Sequence, residues 1–359
     1  MGIVTIFIAL LSLVLLITLH ELGHFLLAKK YNVKVDEFGI GIPPRVWGKK
    51  VGETLYSINL LPLGGFVRLQ GEDSSEKGPR SFASKPVAQR LFIVAGGVIV
   101  FWIITIVMFT GLALTWGVPS AVSDDATGVG QPMVRIFGVA SNSPAEDAQI
   151  RPGDIILKIN GEPVTMAGEV ISVIEANKGN EVSMLLQRGR SIEEQIVIPR
   201  VDHPETEGAL GVRLGRVALV TSSWWQAPVE GVRLTGDLTW RILKTFGSAI
   251  RGLFPGKDMP EGMSVMGPIG IVSALQDSLF LGIPHFLFFV ALLSLHLAVI
   301  NILPIPALDG GRIAFLLVEM VRKKAVSEQV EKLTHTAFFV LLILLLIFIT
   351  AQDIFTLFL

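Results

Sequence analysis

Apolar residues are spread unevenly along this chain. They gather in four long blocks. Residues 3–28 hold a single charge, Glu21, and residues 91–118 hold none. Residues 278–308 are uncharged when His285 and His296 are neutral, and residues 336–352 are uncharged throughout. A membrane-crossing helix needs about 20 apolar residues, so the pattern predicts four spans. The first block has neither the basic leader nor the small-residue cleavage site of a signal peptide. Between the second and third blocks the pattern becomes that of a small mixed domain. Ser143-Pro144-Ala145 reads as a helix start and Arg151-Pro152-Gly153-Asp154 as a turn before a strand at 155–159. Asn160-Gly161 is a second turn. A helix is expected over 167–177 and a hairpin from 181–187 and 192–198 around Arg188-Gly189-Arg190. The glycine-rich Gly208-Ala209-Leu210-Gly211 leads into a strand at 212–214. Residues 229–253 alternate apolar and basic positions as an amphipathic helix on a membrane face does.

Composition narrows the class. Of 359 residues 51% are hydrophobic and 17% charged, against about 25% charged in a soluble domain. The net charge of -1 gives no pull toward polyanions, which argues against a nucleic-acid partner. Cysteine is absent. Disulfides, thiol nucleophiles and cysteine-bound metals are thereby excluded, and a metal must be held by His, Asp or Glu.

Charge orients the spans. Residues 28–90 carry 11 Lys and Arg, and the loop between spans three and four carries five: Arg312, Arg322, Lys323, Lys324 and Lys332. Four spans put both loops on one side, which the positive-inside rule makes cytoplasmic. The termini and the insert are then expected outside, in the periplasm or at the extracellular face of a bacterium.

The chemistry centres on His20-Glu21-Leu22-Gly23-His24. Histidines at i and i+4 share one helix face and can converge on one metal. The intervening Glu can take a proton from a metal-bound water. Such residues are costly within a membrane and default to function. At 1.5 Å per residue, His24 and His20 lie about 7 and 14 Å from the cytoplasmic edge. Catalytic zinc needs a third ligand and an open position. Only Asn301-Ile302-Leu303-Pro304-Ile305-Pro306-Ala307-Leu308-Asp309-Gly310-Gly311-Arg312 matches that depth. Its prolines break the helix, and broken backbone at membrane depth must pack in protein or line a wet cavity. Asp309 reads there as the third ligand or as a helix cap. Asn301 reads as a donor to a substrate carbonyl or as an interhelical contact. His285, His296 and His335 read as polar helix contacts.

These residues resemble the site-2 protease family of intramembrane metalloproteases, in the bacterial regulator-of-sigma-E protease type. The resemblance spans nearly the whole chain. It implies Zn2+ held by His20, His24 and Asp309, with Glu21 catalytic and Asn301 near the substrate. Leu63-Gly64-Gly65-Phe66-Val67-Arg68-Leu69, followed by Gly71-Glu72, resembles a cytoplasmic β-hairpin that holds substrate extended; Gly65, Phe66 and Val67 are then substrate-binding. The insert resembles one PDZ domain, with Arg151–Ile156 its most typical piece and Gly208–Gly211 its carboxylate loop. Two departures stand out. Ala95-Gly96-Gly97-Val98-Ile99-Val100 lacks the family's Pro and Asn, and His296 replaces an Asn.

The expected fold is a polytopic α-helical membrane protein with four transmembrane helices. A membrane-associated cytoplasmic β-hairpin and an inserted α+β PDZ-like domain complete it. The expected parts are an N-terminal membrane part, 1–118, with spans at 3–28 and 91–118 and a hairpin loop at 33–72. A PDZ-like domain at 119–218 and a linker with an amphipathic helix at 219–277 follow. A C-terminal membrane part, 278–359, has spans at 278–308 and 334–358. The expected function is zinc-dependent intramembrane proteolysis in a bacterial inner membrane. Its substrates are single-span proteins such as anti-sigma factors, shortened first by a site-1 protease. Lipids are partners, and a peptide C-terminus is one for the insert. The alternatives are a metal transporter, which would want polar residues through to the far side, and an inactive PDZ-bearing scaffold.

Overall fold

A computed structural model describes residues 3–72, 78–189, 191–203, 208–252 and 266–358. Lys77 of the basic loop, Arg190 of the expected hairpin turn and 253–265 of the expected linker lie outside the described residues. The chain divides into two compact units, residues 110–230 and the remainder.

The larger unit begins with α1, Ile3–Lys30. Strands β1, Val35–Val51, and β2, Thr54–Leu69, follow as one antiparallel pair. Each strand bends back, so the pair makes four adjacent segments. Phe38 pairs with both Val67 and Tyr56, and Trp47 pairs with Ile58. The lateral order is therefore 65–69, 35–40, 54–59, 45–51, with 65–69 at an edge. Its outer side pairs with no strand among the described residues. Gly41 and Gly64, at φ +81 and +110, sit at the bends, where a Cβ would be strained. Val46, Trp47 and Leu60 are exposed on the far part of this sheet, as suits contact with lipid. Helix α2, Val87–Thr115, packs back on α1 and runs into the second unit.

The second unit is an antiparallel sheet of strands β3 Val118–Ala121, β4 Gly130–Val139, β5 Ile155–Ile159, β6 Glu162–Pro163, β7 Val182–Arg188, β8 Ser191–Val197 and β9 Val212–Val220. Their order is β3-β9-β4-β5-β7-β8, with β6 on β5. Between them lie the short α3, Pro144–Asp147, and α4, Ala167–Ala176. Val134, Ile136, Ile156, Val170, Met184 and Leu210 form its core. The last strand runs six residues past the expected 212–214 because it pairs with both β3 and β4.

The rest of the first unit is helical. Helix α5, Ala227–Gly252, buries Ile242 against Leu295 and Val299. Next come α6 Pro268–Phe280, α7 Ile283–Ile302, α8 Asp309–Arg322 and α9 Glu328–Phe358. Among the described residues four helices, over 4–30, 87–115, 283–302 and 329–355, are long and apolar enough to cross a membrane. The protein is a multi-pass membrane protein, and its last span exposes its apolar surface almost entirely, as a lipid-facing helix does. The third span is shorter than the expected 278–308. Gly282, at φ +116, separates it from α6, and Pro304 ends it because the residue before a proline avoids helical dihedrals. Leu303 is accordingly extended, at φ -62 and ψ 143.

Candidate metal centre

The histidine pair is positioned by α1 alone. One helical turn separates His20 from His24, and their Nε2 atoms lie 3.2 Å apart. Helix α2 supplies the wall behind them. His24 Nδ1 lies 3.0 Å from the carbonyl oxygen of Ile93. Donating there makes Nδ1 the protonated nitrogen and leaves Nε2 a free lone pair, as a metal-binding imidazole requires. The His20 ring stacks on Phe101 with centroids 4.5 Å apart.

Two glycines of α2 make room. A Cβ on Gly97 would collide with both imidazole rings. A Cβ on Gly96 would lie 2.8 Å from the Gly23 carbonyl oxygen, and one on Gly23 would strike Gly96 in return. The helices thus approach at backbone contact, as small-residue pairs allow in membranes.

The third member comes from the break between α7 and α8. After Leu303 the chain turns over Ala307, which adopts φ +78. That left-handed conformation costs a non-glycine residue about 1 kcal/mol or more. The Ala307 amide donates to His335 Nδ1 at 2.9 Å, which ties the turn to α9. Asp309 is the first residue of α8. Gly310 and Gly311 follow it because a Cβ on Gly310 would fall on the carbonyl oxygens of Leu303 and Ile302. One on Gly311 would lie 2.6 Å from that of Ile305. Only so close a fold-back returns Asp309 to the histidines. Its Oδ2 lies 3.3 Å from His20 Nε2 and 3.4 Å from His24 Nε2.

Three donor atoms therefore form a triangle with edges of 3.2, 3.3 and 3.4 Å. Ligands at about 2.0–2.1 Å from a tetrahedral metal stand about 3.3 Å from one another. Two imidazole lone pairs and a carboxylate repel at that separation unless a cation lies among them. The residues present therefore fit a metal ion. The side chains are mostly enclosed, at 9%, 12% and 20% exposure for His20, His24 and Asp309.

A cavity of about 250 Å³ opens beside the triangle, lined by Glu21, His24, Phe66, Val67, Glu72, Asp309 and Arg312 among others. The edge segment of β2 forms its side, and a Cβ on Gly65 would stand 3.3 Å from Glu21 Cγ. Glu72 and Arg312 meet as an ion pair at its rim.

The structure thus brings together His20, Glu21, His24, Gly65, Phe66, Val67 and Asp309. Asn301 stands apart: its amide donates to the Leu297 carbonyl of its own helix at 2.8 Å, and it does not line the cavity. His296 likewise turns to its own helix, toward the Leu292 carbonyl. Sequence reasoning missed the parts played by Gly97 and Ile93, and it read His335 as a polar helix contact without naming its partner. A glycine pair inside an apolar helix was the available signal for Gly97. A backbone carbonyl leaves none, and a lone histidine at the start of a span does not disclose its partner.

An enclosed triangle of candidate metal ligands with a neighbouring carboxylate, set among helices long enough to cross a membrane, fits a transmembrane metallopeptidase. The sequence pattern of peptidase family M50 matches residues 8–345. The chain belongs to this family, the site-2 proteases. Regulator of sigma-W protease RasP from Bacillus subtilis is 29% identical, over 96% of this chain and 96% of its own. Zinc metalloprotease RasP from Oceanobacillus iheyensis is 28% identical, over 96% of this chain and 97% of its own. A Clostridium acetobutylicum relative reaches 32% over 99% of this chain and 98% of its own. Among solved structures, the PDZ domain of an SdrC-like protein from Listeria monocytogenes is 25% identical, with a TM-score of 0.21. It covers 25% of this chain and 92% of that one.

Proposed function

We propose that this peptidase is zinc-dependent and cuts single-span membrane proteins within the membrane. One observation carries the reading: His20 Nε2, His24 Nε2 and Asp309 Oδ2 converge within 3.4 Å beside Glu21. These three residues would hold the zinc. When bound, it supplies an acidified water and polarises the scissile carbonyl. Glu21 accepts the water's proton and later delivers it to the leaving nitrogen. The Ile93 carbonyl keeps the His24 ring in register. The edge segment at Gly65, Phe66 and Val67 takes the substrate as an added strand, since an intact helix hides its peptide bonds. Asn301 keeps a second amide N–H beyond the one it donates to Leu297, and that donor is the one offered to a substrate carbonyl.

The basic loops at 29–90 and 312–332 support a cytoplasmic opening for the site, in a bacterial inner membrane. The second unit then lies outside. We read it as a PDZ-like domain that takes a fresh C-terminus from a first cleavage or screens out bulky ectodomains. We take the hairpin loop at 33–72 and the PDZ-like domain at 119–218 as part of this reading. The sigma-W regulator among the relatives supports anti-sigma factors as the substrate class.

The test is Glu21→Gln in the full-length protein. Metal content should stay near one zinc per chain, while cleavage of a model transmembrane substrate falls about 10²–10⁴-fold. Undiminished cleavage would refute the assignment.

A further inference from the structure

The Glu72–Arg312 ion pair has no part in the chemistry above, yet it lines the site cavity. Both residues also line a second cavity of about 430 Å³, as does Val94. That space is walled further by Arg90, Glu319, Lys332 and His335. Arg90 and Glu319 close on each other at 2.5 Å, and Glu72 and Arg312 are the charged residues that line both spaces. They come from elements far apart in sequence: Glu72 follows the edge segment of β2, and Arg312 follows Asp309 on α8.

Peptide hydrolysis makes charge where there was none. Water adds across the C–N bond. The acyl fragment keeps the hydroxyl oxygen and loses a proton, and the amine fragment gains one. A neutral amide therefore becomes a carboxylate and an ammonium inside a cavity that holds one cation and one carboxylate besides Glu21 and the metal ligands. Each new end matches one member of the pair. We propose that Glu72 and Arg312 are a product-sorting device. Arg312 takes the new carboxylate and Glu72 the new ammonium. Exchange of partners parts the pair and opens the way from the site into the larger cavity. This rests on the peptidase reading above. The substrate, being uncharged at the scissile bond, leaves the pair closed.

Product inhibition tests it. The zinc-loaded full-length enzyme in detergent is assayed on a model single-span substrate. Alanine–leucine hexapeptides with free or amidated C-termini, and free or acetylated N-termini, serve as inhibitors. Arg312→Gln should cut the preference for a free carboxylate about tenfold and leave the preference for a free amine unchanged. Glu72→Gln should do the reverse. Tenfold is the ordinary worth of one charge-assisted hydrogen bond. Arg312→Lys should restore part of the carboxylate preference, which guards against a folding defect. A purely structural ion pair predicts otherwise: either variant breaks it, so both end preferences shift together or neither does. That outcome overturns the proposal. A wild-type enzyme without metal-dependent cleavage would instead refute the peptidase reading.

Discussion

The two halves of the metal site are built in opposite ways. Helix α1 presents His20 and His24 through periodicity alone, and its backbone is regular through the motif. The segment from Leu303 to Gly311 presents Asp309 through irregularity. It needs two prolines, a left-handed alanine, two close-packed glycines and a hydrogen bond to another helix. One ligand pair costs no more than a helical turn, and the third rests on several local strains resolved together. A site made this way resists change in unequal measure. Point changes on the exposed face of α1 should be tolerated, whereas small changes around the break should move Asp309.

The contrast can be broken on the α1 side first, through its neighbour. Gly97→Val places side-chain atoms where both imidazoles lie. Zinc affinity should fall more than about 100-fold, beyond the usual effect of a supporting residue, and mass spectrometry of purified protein should find it nearly metal-free. Retained zinc would mean that α2 gives way and that the helix pair is softer than its backbone contact implies. On the other side, Gly310→Ala forces a Cβ onto two carbonyl oxygens. The expected cost is about 2–3 kcal/mol, read as a lower melting temperature together with weaker zinc binding. His335→Ala comes next. It removes the acceptor of the Ala307 amide and should weaken zinc about tenfold. Adding Ala307→Gly should recover part of that loss by relieving the left-handed alanine. If His335→Ala leaves zinc affinity unchanged, the turn holds itself and the contrast softens.

The smallest effect concerns the anchor at the end of α1. Glu53 accepts from Arg80 at 2.6 Å and from Lys29 at 2.9 Å. Those cations hold its carboxyl down to about 2, from an ordinary 4.5. A depressed carboxylate stabilises the fold above its unfolded value and loses that contribution as pH falls toward the folded one. Glu53→Gln should therefore lower the melting temperature slightly at pH 7. The gap to wild type should close between about pH 5 and pH 2. A constant gap across that range would assign the effect to packing.

Much of the plan was legible in the chain. Four apolar blocks gave four spans because hydropathy and length are local properties. His20, Glu21 and His24 were legible because a helix translates spacing into direction. Asp309 was legible as a candidate ligand only beside them, since that reading depends on depth. The rest was hidden for physical reasons. The lateral order that leaves 65–69 at an edge arises from strands bending at Gly41 and Gly64, which no alternation encodes. The start of the third span at Gly282 is concealed by the apolar run, whereas the prolines after Ile302 already marked a break at its end. Asn301 shows the reverse hazard. A polar residue in an apolar helix invites a functional role, yet its amide is already engaged by the turn beneath it.

The contact between α1 and α2 carries one more consequence. His20, Gly23 and His24 face Ile93, Gly96 and Gly97, and both sets repeat the spacing i, i+3, i+4. The second helix is thus written in the same phase as the first. Deleting one residue just before Ile93 would rotate the downstream face by about 100°. Valines 94 and 98 would then swing toward the imidazoles. The length of the second span ahead of Ile93 is therefore as much a part of the site as the glycines that face the imidazoles.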